Sequence, residues 1–197
     1  MSDILTINTE AGIVTEERIE ELPLYDERLP MLDSEIPTYN LRLPNPHMTK
    51  LVKQMKMTMK KFGGIGLSAN QCGVYERVFV IGTEHFQIAC INPKIIEKSE
   101  TTIKSEEGCL SYPGLYLKIE RPEWIVAEFT DENGEVKQMR FDGITARCYQ
   151  HELDHMDGKK FVDYVGPVSL QMARKKQSKI MKKVIRKNKN AGALYGK

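Results

Sequence analysis

His151 and His155, separated by Glu152-Leu153-Asp154, restrict the fold more than any other stretch of this 197-residue chain. Four residues apart on a helix, the two imidazoles share a face with Cβ atoms roughly 6 Å apart, close enough to chelate one metal ion. Glu152 is then aimed at the metal's open coordination position. A helix carrying this pair has to turn that face inward, so the other elements must be built around it. The chemistry of the pattern is that of a metal-dependent hydrolase.

Composition narrows the setting. Residues 1–30 lack a basic stretch followed by an apolar one, and no run of 18 apolar residues occurs, so a cytoplasmic protein with no membrane partner is expected. The four cysteines, Cys72, Cys90, Cys109 and Cys148, read as reduced thiols or metal ligands. The net charge of +2 hides a division: residues 174–197 hold ten Lys or Arg and nothing after Asp163 is acidic, which leaves residues 1–163 with 19 basic against 27 acidic side chains, or −8. A basic tail on an acidic body suggests a polyanionic partner, nucleic acid or anionic membrane.

Hydrophobic spacing gives an α+β fold, with short, mainly antiparallel strands packed around a central helix carrying HELDH and a basic C-terminal helix at about 167–190, all in one domain spanning 1–197. The first 44 residues, rich in Pro, Glu and Leu, read as mostly extended chain. Asn45-Pro46 caps a helix with Leu51, Val52, Met55, Met59 and Phe62 on one face, stopped by Gly63-Gly64. Strand-like runs follow at 77–81, 87–96, 115–119, 124–130 and 136–141, with Asn133-Gly134 as a hairpin signal between the last two. A helix after Asp142-Gly143 ends near Asp157-Gly158, and a last one starts around Pro167 with Leu170, Ala173, Ile180, Met181 and Val184 as its apolar stripe.

The third ligand decides among hydrolases. The main competitors with this motif take it downstream, as a glutamate or as the histidine of H-E-x-x-H-x-x-G-x-x-H, but here the histidine position is Phe161 and neither Glu nor His follows His155. An upstream donor is required. Cys109, in Glu106-Glu107-Gly108-Cys109-Leu110-Ser111, is the best candidate, since a thiolate with two imidazoles leaves one tetrahedral position open. Cys72 and Cys148 compete; Cys148 is read as packing on the motif helix, and Cys90 as core. A third segment, Gly64-Ile65-Gly66-Leu67-Ser68-Ala69-Asn70-Gln71, is a weak match to a phosphate loop and reads alone as a glycine turn after a helix.

Together GIGLSANQ, EGCLS and QHELDH resemble the peptide deformylase pattern G-x-G-x-A-A-x-Q, E-G-C-L-S, Q-H-E-x-D-H, in order and spacing. The resemblance runs from about Leu22, where LPLYDERLP looks like the family's opening segment, to about Asp163. Ser68 stands where alanine is usual, and some twenty residues precede the matched region. The resemblance implies removal of the N-formyl group from the initiator methionine of nascent polypeptides, with N-formylmethionyl peptides as substrates. It implies one divalent metal held by Cys109, His151 and His155, with Fe2+ favoured in the cell and Zn2+, Ni2+ or Co2+ acceptable to the same donors.

By the same correspondence Glu152 is general base and then acid, while Gln71 and the backbone N–H of Leu110 stabilise the oxyanion. Ile65, Gly66 and Gly108 hold the peptide, and Ile144 and Cys148 form the apolar methionine pocket with Arg147 at its edge; Ile144 and Cys148 are equally readable as core. Glu107 and Arg121 are expected to pair and brace the metal loop. The basic helix is either a solvated face or a dock for ribosomal RNA; as a dock it is an appendage whose removal after Gly166 leaves hydrolysis of small formyl peptides intact. The rival readings are a zinc endopeptidase and a non-catalytic RNA-binding protein, the latter leaving the metal donors and Gln71 without a use.

Overall fold

A computed structural model describes residues 5–9, 12–16, 19–83 and 86–195 of the chain, with side chains over 19–83 and 86–186. Helix α1 (Pro46–Lys61) begins as expected: Asn45 stands in extended backbone, its side-chain oxygen accepts from Met48 N–H at 2.9 Å, and Pro46 fills the first turn, where no N–H is needed. Leu51, Val52, Met55 and Met59 are buried, joined by Met48 and Thr58. Phe62 departs from the expected stripe. It caps the C-terminus at 47% exposure, because the helix has ended and the chain turns through Gly63 at positive φ.

The strands are β1 (Leu5–Thr9), β2 (Gly12–Glu16), β3 (Gly66–Ser68), β4 (Val78–Gly82), β5 (Gln87–Lys98), β6 (Thr102–Gly108), β7 (Tyr116–Pro122), β8 (Trp124–Thr130) and β9 (Val136–Asp142). The central sheet has the order β3-β4-β5-β8-β9 with every neighbouring pair antiparallel. β6 and β7 form a separate hairpin, as do β1 and β2. The last pairing lies inside the 44 residues read as extended chain, a reading that also falls in part on residues outside the described set. The β8–β9 connection closes around Asp131, whose Oδ1 accepts from the N–H groups of Asn133 and Glu135, each at 2.9 Å.

Helix α2 (Gly143–Met156) packs on one face of the sheet and α1 on the other. Alternation along β4 explains why its first four residues are all buried: Phe79 and Ile81 enter the α2 core, Val78 and Val80 the α1 core. Tyr149 anchors the α2 side, meeting Phe79 edge-on at 4.9 Å and stacking on Phe141 at 5.5 Å, contacts that each add about 1 kcal/mol beyond burial. A third core of Tyr112, Leu115, Leu117, Ile119 and Phe161 lies between the β6–β7 hairpin, α2 and the start of α3 (Pro167–Tyr195), which contributes Leu170 and Ala173. No helix among the described residues is long and apolar enough to cross a membrane.

Asn45 also donates from Nδ2 to Tyr39 Oη at 3.0 Å and to the Arg42 carbonyl at 2.8 Å. Asn45→Ala is therefore expected to cost about 1 to 2 kcal/mol, read as a lower urea midpoint with unchanged slope.

Candidate metal centre

The inward face of α2 carries both imidazoles, and β6 delivers Cys109 one residue past its end. The rings lie 5.0 Å apart at 82°, Cys109 Sγ is 3.3 Å from His155 Nε2, and one ligand atom from each of the three residues falls within 4.8 Å of the others. This is the one such trio among the described residues. Cys72 and Cys90 are buried in the cores, where burial pushes the Cys72 thiol up to about 12. Cys148 donates instead to the Ile65 carbonyl at 3.2 Å.

Glu107 orients the cluster. Its carboxylate faces His151 Nδ1 at 3.1 Å, which leaves Nε2 of that ring for the centre. Arg121 binds it through Nε at 2.7 Å and Nη2 at 3.0 Å, and reaches Asp154 through Nη1 at 2.7 Å. The expected Glu107–Arg121 pair is present, and Arg147 joins it at 2.7 Å. Arg147 is thus not merely the rim of a pocket; it is buried and also donates to the carbonyls of Ile119 and Ile103.

Burial acts to raise the pKa of Glu107, but the bonds from His151 and Arg121 and their charges outweigh it and hold the carboxyl at about 2. Burial acts to lower that of His151, yet Cys109 and Glu107 keep it well above its usual value. Burial and the charge of His151 drive that of His155 well below its own. His155 Nδ1 is buried without a partner. One soft sulfur and two imidazoles whose ligand atoms converge are donors that suit a divalent transition metal.

The groups expected to do chemistry border this cluster. Gln71 Oε1 accepts from Ser68 N–H at 2.9 Å, which turns Nε2 toward Cys109 Sγ at 3.4 Å and Ser111 Oγ at 3.0 Å. A backbone N–H can only donate, so the amide has one sensible orientation. Glu152 is buried, and burial raises its pKa. Ser68 Oγ donates to Glu152 Oε2 at 2.7 Å, a contact the sequence reading passed over although it marked Ser68 as unusual. Gly66 makes the close approach possible: a Cβ there would sit 2.4 Å from Glu152 Oε1 and 2.6 Å from Cys148 Sγ.

A cleft of about 550 Å³ runs past these groups, lined by Ile65, Gly66, Gln71, Gly108, Cys109, Leu110, Ile144, Cys148, His151 and Glu152 among others. Ile144 is 64% exposed, which rules out the alternative of a core residue. β3 is an edge strand, and Gly82 N–H bonds the Ile65 carbonyl at 2.9 Å. That makes Gly66 and Ile81 a non-hydrogen-bonded pair and turns the N–H and C=O of Gly66 to the open edge. Ile65 differs from expectation: its carbonyl is taken up by the sheet, and it offers the cleft a half-exposed side chain. Leu24, Phe62 and Tyr116 also line the cleft, and no motif announced them.

The sequence profile of the family described as polypeptide deformylase matches residues 25–171. The chain belongs to the polypeptide deformylase family. The peptide deformylase of Pseudoalteromonas translucida is 42% identical over 132 residues, covering 66% of this chain and 78% of that relative. A crystal structure of a peptide deformylase from Legionella pneumophila matches with a TM-score of 0.76 at 32% identity, covering 84% of this chain and 98% of that one. One from Synechococcus elongatus, in complex with actinonin, gives 0.74 at 37% identity and covers 80% and 86%. The matched region of this deformylase-family enzyme extends past Asp163, where the motif resemblance stopped, into the first turns of α3.

Because Glu107 stays ionised in the fold down to about 2, against a usual value of 4.5, its contribution is full above 4.5 and is lost as pH falls toward 2. Metal-free Glu107→Gln is expected to be less stable than the parent at pH 6 and to lose less stability on acidification through that window, measured by urea midpoints at several pH values.

Proposed function

We propose that this chain removes the N-formyl group from the initiator methionine of nascent polypeptides in the cytoplasm, releasing formate and a free amino terminus. The observation that carries this reading is convergence: Cys109, His151, the Glu152 carboxylate and the Gln71 amide line one cleft, and His155 stands beside Cys109 and His151 within metal-binding reach of both. On this reading the three donors hold one divalent ion, ferrous iron in the cell, with Zn2+, Ni2+ and Co2+ as substitutes. Such an ion, when bound, supplies a Lewis acid and lowers the pKa of a water from 15.7 toward about 7.

The remaining work falls to the chain. Glu152 takes a proton from the attacking water and later gives it to the leaving amine, which departs neutral. Burial makes its carboxylate a stronger base, and Ser68 on Oε2 leaves Oε1 to receive the proton. Gln71 Nε2 and the Leu110 N–H donate to the oxyanion as the formyl carbon becomes tetrahedral; the bond from Ser68 N–H aims Gln71 in advance. A neutral amide donates there without adding a charge. The N–H and C=O of Gly66 pair with the extended substrate, Gly108 forms the opposite lip, and Ile65, Ile144 and Cys148 receive the methionine side chain.

The exposed residues Lys175, Lys176, Lys179, Lys182, Lys183 and Arg186 on α3 form the face proposed to dock on ribosomal RNA.

Metal-loaded protein is expected to release formate from a formyl-Met peptide and to leave the acetyl analogue intact; internal cleavage would mark an endopeptidase, and no cleavage a binding protein. Glu152→Gln should lower kcat by about 10²- to 10⁴-fold at unchanged metal content, and Gln71→Leu should raise the barrier by about 3 kcal/mol. Chelation should abolish turnover and anaerobic Fe2+ restore it. Co-sedimentation with ribosomes is expected to weaken steeply between about 50 and about 200 mM salt; a salt-independent association would remove the docking half of the reading.

A further inference from the structure

The face of α3 opposite its lysines is applied to the wall of the cleft. Gln177 Nε2 donates to the Pro113 carbonyl at 3.0 Å. Gly114 follows at φ +75, and a Cβ there would lie 3.4 Å from Met181 Sδ and 3.5 Å from Ile180 Cγ2, so the turn rests directly on the helix. Arg174, one turn before Gln177, donates to Gln177 Oε1 at 3.0 Å, pairs through both nitrogens with Glu27, and stands 5.6 Å from the centre of the Tyr112 ring. Tyr112, Pro113 and Gly114 all line the cleft, as does Leu24 on the strap that carries Glu27.

We propose that α3 is a positioning element of the substrate cleft, with Gln177 and Arg174 fixing the Tyr112-Pro113-Gly114 wall against the Leu24–Glu27 strap. Residues 174, 177 and 181 recur at i, i+3 and i+7, so one helical face does this while the basic side chains leave from the other. The Cys109 end of the segment is held separately, by β6 and by the packing of Tyr112 on Phe161 at 5.1 Å. The brace therefore acts on how the peptide is held and leaves the metal donors in place. On this proposal a cut after Gly166 would disturb the cleft, since it removes Leu170 and Ala173 from the core that contains Tyr112, whereas a cut after Lys183 keeps every contact named here.

The proposal rests on the deformylase reading of the cleft, and its test uses the full chain. Gln177→Glu keeps the size and the acceptor for Arg174 while deleting the donor to Pro113; Arg174→Met keeps the packing and deletes the pair with Glu27. Each is expected to raise KM for a formylated tripeptide by about three- to tenfold, the worth of one such bond, with kcat nearly unchanged. Metal content should match the parent, the urea midpoint should fall by no more than one such bond is worth, and amide exchange at Tyr112, Gly114, Leu115 and Tyr116 should quicken. Met172→Gln, on the exposed face of the same helix, should alter none of these. Parental KM and exchange in both variants would overturn the proposal, and so would a KM rise accompanied by loss of metal or by a fall in the urea midpoint larger than one bond explains. A parent that releases no formate rejects the deformylase reading, while the exchange measurement still tests the brace.

Discussion

Glu107 holds an ionised carboxylate where two arginines and an imidazole are also buried, and none of the four groups is tolerable there without the others. Removing one partner of such a cluster leaves an uncompensated charge out of water, at a cost of about 3 to 5 kcal/mol. The same carboxylate ties β6 to β7 through Arg121, ties the hairpin to α2 through Arg147, and sets the ring orientation of His151. Elements brought together for electrostatic reasons are thereby registered to within hydrogen-bond tolerance. Cys109, two residues after Glu107, thus falls beside the imidazoles, so the geometry of the candidate donor trio is coupled to how one charge is neutralised.

What was readable in the sequence followed from local rules. The start of α1 is set by Asn45 and Pro46, the limits of β8 by a run of β-formers, and the β8–β9 turn by Asn133-Gly134 next to Asp131. The lack of downstream ligands points only to an upstream donor, for which Cys72 and Cys148 compete with Cys109, and the full set of three comes with the family resemblance; in the fold the candidate trio is Cys109, His151 and His155. β3 and β6 escaped notice for opposite reasons. β3 is three residues beginning with glycine, too short for periodicity, and β6 (Thr102–Gly108) carries polar side chains because only Glu107 of its seven residues is buried. Phe62 kept helical spacing one residue beyond the helix, so its period was right and its environment wrong. Arg147 looked like a surface residue because a buried arginine is improbable until its carboxylate is known.

Ser68 shows how little of a site's chemistry a motif conveys. In sequence it is a small residue replacing another small residue. In the fold it bonds both of the groups proposed to do chemistry, its backbone N–H donating to Gln71 Oε1 and its hydroxyl donating to Glu152 Oε2. The coupling depends on a short 3-10 turn, Ala69–Cys72, that returns Gln71 beside Ser68, and no pattern of residue types announces such a return. The motifs name these residues one by one; the bonds that couple them belong to the fold.

The brevity of β3 has a consequence for life at high concentration. A long bare margin on a sheet invites a neighbouring molecule to add its own strand, and aggregation follows. Here the margin ends in the Gly63-Gly64 turn on one side and a 3-10 helix on the other, leaving Gly66 to present its two polar backbone groups. A margin of three residues has room to align only a short extended segment, and it offers a sister chain far less to pair with than a full-length edge would.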